Sequence, residues 1–297
     1  MDKKVFIILV NYNGSKDTID CIKSLKDIDY KNYEIVVVDN NSRDEEKKLL
    51  RENSSGIKLI ESDVNLGFAL GNNLGMEYAI NNNADYVLLL NNDTLVEKDF
   101  LTRMVKTAEK NEDAGAVGCK IMYHPAENII WYNGGRVDFT KFSAFNIDER
   151  KEDYESEDEC TETDFITGCC ILIPERTIKK AGYLSHEYFM YYEDVDYSLK
   201  IKEIGLKLLL DHKAKIYHKV SVSSGGEDSL FRIYYSNRAR KLFMKKFRYK
   251  VSGFNFFKAE AYFVITRYVK MFRYVLKGQV RQAKTLFQVV TNKEFSF

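Results

Sequence analysis

YVLLLNNDT, residues 86–94, decides the fold. Five apolar or aromatic residues run from Tyr86 to Leu90 and stop at Asn91, Asn92 and Asp93. A run this short, bounded by turn formers, predicts a central strand buried on both faces. In an open α/β sheet, ligands bind just beyond the carboxyl ends of the strands. Asp93 therefore offers a hard oxygen ligand where a crevice is expected. The same residues also suit a plain turn that caps the next helix. The rest of the chain decides between the two.

Working outward, VFIILV (5–10) ends in Asn11-Tyr12-Asn13-Gly14, and EIVVV (34–38) ends in Asp39-Asn40-Asn41-Ser42. Helical patterns span Asp17 to Leu25 and Glu45 to Glu52, and Ile57 to Glu61 is a short strand. Asn65 to Gly75 is a Gly/Asn-rich turn opening a helix that runs to about Ile80. Strands alternating with helices predict a mostly parallel sheet flanked by helices. Three strands would then end in polar clusters along one rim, and three together make a site. Downstream, Glu97 to Asn111 is an amphipathic helix and Ala116 to Tyr123 a strand. Ile129 to Phe145 reads as a hairpin or loop, and the acid-rich stretch Asp148 to Asp164 as a solvated, mobile loop. A strand then ends at Pro174, and helices span Glu175 to Ala181 and Glu193 to Ile204. Lys207 to Leu210 and Ala214 to His218 read as two strands. Beyond Glu227 the pattern is helical, basic and aromatic.

The 297 residues carry a net charge of only +1, unevenly spread. Residues 241–297 hold thirteen Lys and Arg against Glu260 and Glu294, a net +11, which leaves −10 for residues 1–240. Such asymmetry predicts a basic tail with an anionic partner. Two domains follow: one over 1–225 that holds the alternating strands and helices, and a basic, aromatic helical region over 226–297. The five cysteines form no CxxC pair, which points to buried thiols in a reducing compartment. Met1-Asp2-Lys3-Lys4 leads straight into an apolar strand, and no stretch approaches the roughly 18–20 apolar residues of a spanning helix. The expectation is a cytoplasmic protein.

No GxxxxGK[ST] is present, and the GxxxGxxxG of Gly67, Gly71 and Gly75 misses the GxGxxG dinucleotide fingerprint. Backbone approach and the side chains of Asn65 and Asn72 at a helix start still suit a phosphate or ribose. Asp39 can accept from a pyrimidine N–H. Asn11, Asn13 and Asn41 can contact ribose or base. Asp93 can hold a divalent ion on a diphosphate, with His218 as a second ligand or a structural histidine. Glu193, Asp194 and Asp196 crowd a helix start, where the dipole favours carboxylates. The aromatic run Tyr188 to Tyr192 before them would seat a sugar ring beside a base.

At these residues the chain resembles family 2 glycosyltransferases of the GT-A fold, in the branch with rhamnosyltransferase-like enzymes. The segments that carry the resemblance are VNYNG (10–14), VVVDNNSRD (36–44), NLGFALGNNLG (65–75), LLLNNDT (88–94), TGCCILI (167–173) and FMYYEDVDYSLKIKEIG (189–205). They follow the family's order and span residues 5–218. The resemblance implies that Asn11, Tyr12, Asn13, Asp39, Asn41, Asn65, Gly67, Asn72, Asn91 and Asn92 surround the donor. It implies Asp93 and His218 as ligands of Mg2+ or Mn2+, Asn91 replacing the first Asp of the DxD motif. It implies Asp194 as the catalytic base, with Trp131, Thr167, Gly168 and Glu193 around acceptor or sugar. Asn72 stands where many relatives carry an Arg. The implied activity is inverting transfer of one sugar from dTDP-rhamnose or a UDP-hexose to a glycan or polyprenyl-linked acceptor in cell-surface polysaccharide synthesis.

Residues 241–297 would then contact an anionic membrane surface at the inner face of the cell membrane rather than nucleic acid. The alternative is a helical bundle packed on the catalytic domain or on a second subunit of a homo-oligomer. A processive polysaccharide synthase would need QxxRW and spanning helices, and the one Trp is Trp131. A sugar-1-phosphate nucleotidyltransferase would need a Gly-rich loop with Arg or Lys after the first strand. A non-catalytic glycan- or nucleotide-sugar-binding module would not need Asp93, Asp194 and His218 together.

Overall fold

The computed structural model describes residues 2–220 and 228–291, which fall into two units. The larger holds residues 2–136, Phe145–Glu187 and 193–220; the smaller holds Val137–Ala144, Tyr188–Tyr192 and residues 228–291. The border expected at 225/226 lies outside the described residues, as do Lys293 and Glu294.

In the larger unit the first half alternates strand and helix: β1 (Val5–Asn11), α1 (Ser15–Lys26), β2 (Tyr33–Asp39), α2 (Asp44–Glu52), β3 (Lys58–Glu61), α3 (Gly67–Asn81) and β4 (Tyr86–Asn91). There follow β5 (Thr94–Val96), α4 (Phe100–Lys110), β6 (Ala114–Tyr123) and β7 (Ile130–Tyr132), then the paired strands β8 (Gly135–Asp138) and β9 (Ser143–Asn146), whose residues 137–144 count with the smaller unit. Last come β10 (Cys160–Glu162), β11 (Cys170–Pro174), α5 (Glu175–Ala181), α6 (Glu193–Glu203) and β12 (Lys207–His218).

The main sheet runs β10-β12-β6-β11-β4-β1-β2-β3, with β5 on β12 and β7 on β6. It is mixed and largely parallel. β1 to β4 share one direction with β6 and β12, while β11 runs antiparallel to both of its neighbours. Phe6, Ile8, Val36, Val38, Val87, Leu89, Ile171 and Ile173 form one buried layer with residues of α3 and α6. The alternate residues Ile7, Leu9, Val37 and Leu88 are also buried. Burial on both faces is why these runs are unbroken by polar residues.

The glycine spacing in α3 serves this packing. A Cβ on Gly71 would lie 3.0 Å from Val10 Cγ1, and one on Gly75 would lie 2.3 Å from Ile8 Cγ2. Four residues of helix rise about 6 Å and two of strand about 6.6 Å, so the i, i+4 glycines meet alternate residues of β1. Helix and strand approach to a distance that a side chain would block.

Three segments differ from the sequence expectations. Thr94–Val96 forms β5, antiparallel to β12, where a turn into the next helix was expected. Lys207 to His218 is one strand, not two, with a register irregularity between Asp211 and Lys215. Asp211 Oδ1 fills the gap by accepting from Lys213 N and Ala214 N, both at 2.9 Å. The acidic stretch is tied to the sheet. Asp153 meets the buried Lys120 at 2.8 Å and Lys215 at 2.7 Å, and Tyr154 donates to Asp148 at 2.7 Å. Most of its acids are exposed, as expected, while Asp153 answers a lysine that the sheet buries, a pairing invisible until β6 and β12 lie side by side.

The smaller unit contains α7 (Leu230–Lys246), a 3-10 turn (Arg248–Lys250), α8 (Gly253–Leu276) and α9 (Val280–Val290). Ser229 and Ser252 cap α7 and α8 by accepting from Arg232 N and Asn255 N. Ile233, Met271, Tyr274, Ala283 and Leu286 form a core of their own. Phe189 stacks on Tyr235, and the Tyr192 ring lies 5.1 Å from that of Phe243. These rings expected under a sugar thus pack on α7. Among the described residues no helix is long and apolar enough to cross a membrane.

Candidate active site

The ladder places the polar strand ends side by side. Asn11 pairs with Asp39, and Val10 pairs with Asn91. Asn11 is fully buried and donates to Asp39 Oδ1 at 2.9 Å and Ser42 Oγ at 3.0 Å. Its Oδ1 accepts from Thr18 Oγ1 at 2.9 Å and Gly14 N at 3.2 Å. Asp39 Oδ2 accepts from Ser42 N at 3.0 Å. Asn92 donates to Thr18 Oγ1 at 2.8 Å and lies 3.4 Å from Asn11 Oδ1. One buried hydrogen-bonded cluster thus joins the ends of β1, β2 and β4. Asn13, at φ 55°, presents its N–H to Ser42 Oγ and accepts from Arg43 N. Tyr12 stands half exposed above the cluster's strand, and Asn41, at φ 65°, accepts from Lys47.

A second group ties the start of α3 to β2. Asn40 donates to Asn65 Oδ1 and Gly67 O and accepts from Leu66 N. Asn72 is buried and donates within its own helix to Phe68 O at 2.9 Å.

The third group carries charge. β5 pairs Thr94 with His218, so the chain that turns at Asn91 comes back beside the end of β12. Thr94 Oγ1 closes the turn on Asn91 O at 2.8 Å. His218 Nε2 lies 3.0 Å from Asp93 Oδ1 and 3.5 Å from Asn91 Nδ2. The Trp131 ring meets the imidazole edge-on at 4.6 Å. His218 Nδ1 is buried without a hydrogen-bond partner. Two ligands held at about 2.1 Å from one ion at a right angle are about 3.0 Å apart, so Asp93 and His218 fit two neighbouring positions of an octahedral cation. Among the described residues no group of three or more His, Cys, Asp or Glu gathers. A cation here would therefore need oxygens from a bound anion or water.

The fourth group is at the start of α6. Asp194 Oδ2 accepts from Gly168 N at 3.0 Å, and Oδ1 accepts from Val195 N at 2.8 Å. Burial pushes the Asp194 carboxyl above the usual aspartate range, while those two backbone bonds oppose the shift. Glu193 is buried, and its Oε2 finds no hydrogen-bond partner. Burial, then the neighbouring Asp194 charge, push its carboxyl well above the usual glutamate range. Both adjacent carboxyls are thus pushed upward, Glu193 the further, and the N–H groups of Gly168 and Val195 hold Asp194.

Residues 167–169 connect the third and fourth groups. Cys169 O accepts from Asn91 N at 2.9 Å, and the preceding Gly168 N–H holds Asp194. A Cβ on Gly168 would fall 2.9 Å from the Phe68 ring and 3.5 Å from Asp194 Cβ. Thr167 Oγ1 accepts from Cys169 N, shaping the turn. Burial raises the Cys169 thiol well above its usual range, and both Asp93 and Asp194 add to the shift. Both acids thus act on one thiol.

The structure also uses Thr18, Asn40 and Ser42, which the sequence reading did not assign to the site. Asn40 and Ser42 stand in the DNNS that ends β2, and Thr18 lies seven residues past Asn11, in the first turn of α1.

The family model for glycosyl transferase family 2 matches residues 6–179. A low-salt glycan biosynthesis hexosyltransferase, Agl10 of Haloferax volcanii, is 26% identical over 237 residues, which cover 80% of this chain and 74% of that protein. The rhamnosyltransferase WbbL of Escherichia coli K12 is 26% identical over 235 residues, covering 76% of this chain and 86% of its own. Among solved structures, the mannosyltransferase PcManGT of Pyrobaculum calidifontis in complex with GDP-Man and Mn2+ aligns with a TM-score of 0.63 at 16% identity. That alignment covers 100% of this chain and 77% of the other, and the fold is GT-A.

The Asn11 cluster makes a stability prediction. Asn11→Asp puts a second carboxylate beside Asp39 in a buried place, and it destabilises by about 2–4 kcal/mol at pH 8. Its raised pKa means the new group is protonated at low pH and charges as pH rises. The deficit against wild type in urea melts is therefore smaller at pH 5 than at pH 8.

Proposed function

The chain belongs to glycosyl transferase family 2, and we propose that it moves one sugar, with inversion, from a nucleoside-diphosphate donor to a glycan or lipid-linked acceptor in cell-surface polysaccharide synthesis. The observation that carries the reading is the pair of bonds from consecutive residues, Cys169 O to Asn91 N and Gly168 N to Asp194. They couple the strand end that leads into Asp93 to the residue we read as the base. The names of the relatives, a hexosyltransferase and a rhamnosyltransferase, support dTDP-rhamnose or a UDP-hexose as donor.

In this mechanism Asp194 takes the proton of the acceptor hydroxyl as that oxygen attacks the anomeric carbon. The bond from that carbon to the diphosphate oxygen breaks on the opposite face, and its electron pair leaves with the nucleoside diphosphate. Burial makes Asp194 a stronger base than an exposed aspartate, while the N–H bonds of Gly168 and Val195 orient it and oppose that shift. Glu193, favoured as the neutral acid, donates to a sugar hydroxyl. Asn11, Tyr12, Asn13, Asp39 and Asn41 take base and ribose; Asn65, Gly67, Asn72 and Asn92 line the donor side; Trp131 and Thr167 wall the sugar. Asp93 and His218 would hold Mg2+ or Mn2+, which when bound supplies neutralisation of the charge developing on the diphosphate.

Residues 1–225 carry this chemistry in our reading, and 226–297 hold the enzyme at the inner face of the membrane. On α8, Phe254, Phe257, Ile265, Tyr268, Phe272 and Leu276 are exposed, with Lys258, Lys270 and Arg273 among them. Exposed aromatics flanked by cations suit an anionic lipid surface.

Asp194→Asn lowers transfer at least about 100-fold in a single-turnover assay, while thermal shift with donor stays as in wild type. Transfer by wild type falls as pH drops through the raised Asp194 pKa, so the acid limb of the rate profile lies above the usual aspartate range. A variant that transfers at near wild-type rate removes Asp194 from the role.

Mn2+ binds weakly alone and tightly with a nucleoside diphosphate, measured by calorimetry. His218→Ala weakens the second titration about tenfold or more, and an unchanged titration excludes His218 as ligand.

In flotation with vesicles containing phosphatidylserine, the full chain rises with the lipid, and the Phe257→Ser, Phe272→Ser variant stays below. Equal flotation of the two would count against α8 as the contact.

A further inference from the structure

We infer that the helical unit holds a second binding site, for an amphiphilic phosphate: a phosphate-ester head on a hydrocarbon chain. The site is a cavity of about 750 Å3 formed by α7, α8 and α9 with the 3-10 turn. That volume is within the range of small-molecule sites. It is independent of the transferase reading, because every lining residue belongs to the helical unit.

The cavity is graded. Its floor is apolar and buried, made by Met244, Phe256, Phe263 and Val289. Its rim is cationic, with Arg238, Lys245 and Arg248 exposed to solvent. Lys241 stands between the two and donates to Val289 O at 3.0 Å and Val290 O at 3.2 Å. The single acid on the wall is Glu260, so the lining carries a net charge of +3. Burial lowers the Lys241 pKa, opposed by the Glu260 charge, and an anion in the cavity would relieve that cost.

The cations come from one helical face. Tyr234, Arg238, Lys241, Leu242 and Lys245 follow at i, i+4, i+7, i+8 and i+11 along α7. No carboxylate among the described residues lies within ion-pair distance of Arg238, Lys245 or Arg248. Arg238 stacks over Tyr234 and Arg248 over Phe256, at 5.8 and 5.1 Å from the ring centroids. Arg238 also donates from Nη1 to the Tyr234 hydroxyl at 3.2 Å, and the remaining N–H groups of the two guanidiniums suit phosphate oxygens.

The gradient selects the ligand class. Inorganic phosphate would leave the apolar floor unused. A nucleic-acid strand needs aromatic rings open for base stacking along its groove, and here Phe256 and Phe263 are buried, with arginines over both. A second copy of the chain would bring two faces of like charge together. A phosphate at the rim with a chain directed to the floor uses both parts.

The full chain is titrated calorimetrically with octyl phosphate, inorganic phosphate and octanol. Octyl phosphate binds, and the other two bind at least about tenfold more weakly, since each lacks one half of the contact. The Arg238→Gln, Lys245→Gln variant, folded by its unchanged melting temperature, weakens octyl phosphate about tenfold or more. The Phe257→Ser, Phe272→Ser variant alters the exposed face of α8 and leaves the titration as in wild type, which separates the cavity from surface adsorption. Equal affinity for inorganic and octyl phosphate, or no loss in the Arg238, Lys245 variant, overturns the inference. Displacement of octyl phosphate by single-stranded RNA at lower concentration also overturns it.

Discussion

Asp93 meets His218 because a three-residue strand pairs with the end of a twelve-residue one. The register Thr94 to His218 is the constraint on which the charged half of the site depends. It closes a loop of more than a hundred residues, an entropy cost that three ladder positions could not offset alone. β12 is already held along β6, and β6 through β11 to β4. β5 therefore pairs with an edge that the core has positioned. The turn between β4 and β5 is secured by Thr94 Oγ1 on Asn91 O, with the buried Cys21 thiol 3.6 Å from the same hydroxyl. Asp93 at the apex of that turn can only point where the ladder aims it.

The second acid is placed by a different device. β11 runs antiparallel into the parallel half of the sheet, so its start, Cys170, lies beside Leu90 at the carboxyl end of β4. The turn before it, Thr167 to Cys169, consequently has one residue within reach of Asn91 and another within reach of α6. An all-parallel sheet would have put this turn at the opposite edge. Gly168 suits the position because the Phe68 ring leaves no room for a side chain. The backbone N–H groups of Gly168 and Val195, with the Thr167 side chain, hold Asp194, so the turn itself orients the carboxyl.

Much of this was legible in the sequence, for reasons that can be named. β1, β2 and β4 are buried on both faces, so their apolar runs stand out, and their polar ends mark one rim. The helix starting at Glu193 and the strand ending at Pro174 carried local signals of charge and turn chemistry. What was hidden depends on tertiary pairing. β5 is too short for any periodicity. The break at Asp211 to Lys213 looked like a loop because a bulge uses loop residues within a strand. Most acids of the stretch at 148–164 are exposed, as expected, but its tie through Asp153 was hidden because the buried Lys120 lies more than thirty residues away in sequence. Gly71 and Gly75 suggested approach to a phosphate, while the contact that requires them is with Val10 and Ile8.

The basic helical unit shows how one pattern can serve folding before it serves a ligand. Interleaved aromatic and basic residues implied an anionic partner. In the structure much of that interleaving is consumed internally: Arg240 and Arg267 both stack on Phe263, Lys246 on Tyr188, and Lys270 on Tyr274. Such contacts offset part of the repulsion among like charges, at about 0.5–1 kcal/mol each where exposed. Arg267 goes further, donating to the buried Asn237 from a place where burial lowers its own pKa. Cations that stabilise α7 against α8 are committed to the fold, and removing them would cost stability whatever the partner. The rim residues differ. Lys245 has no aromatic or acidic partner among the described residues, and Arg238 sits exposed on its tyrosine. Charge that the fold does not use, gathered over an apolar floor, is the part of the pattern left to bind something.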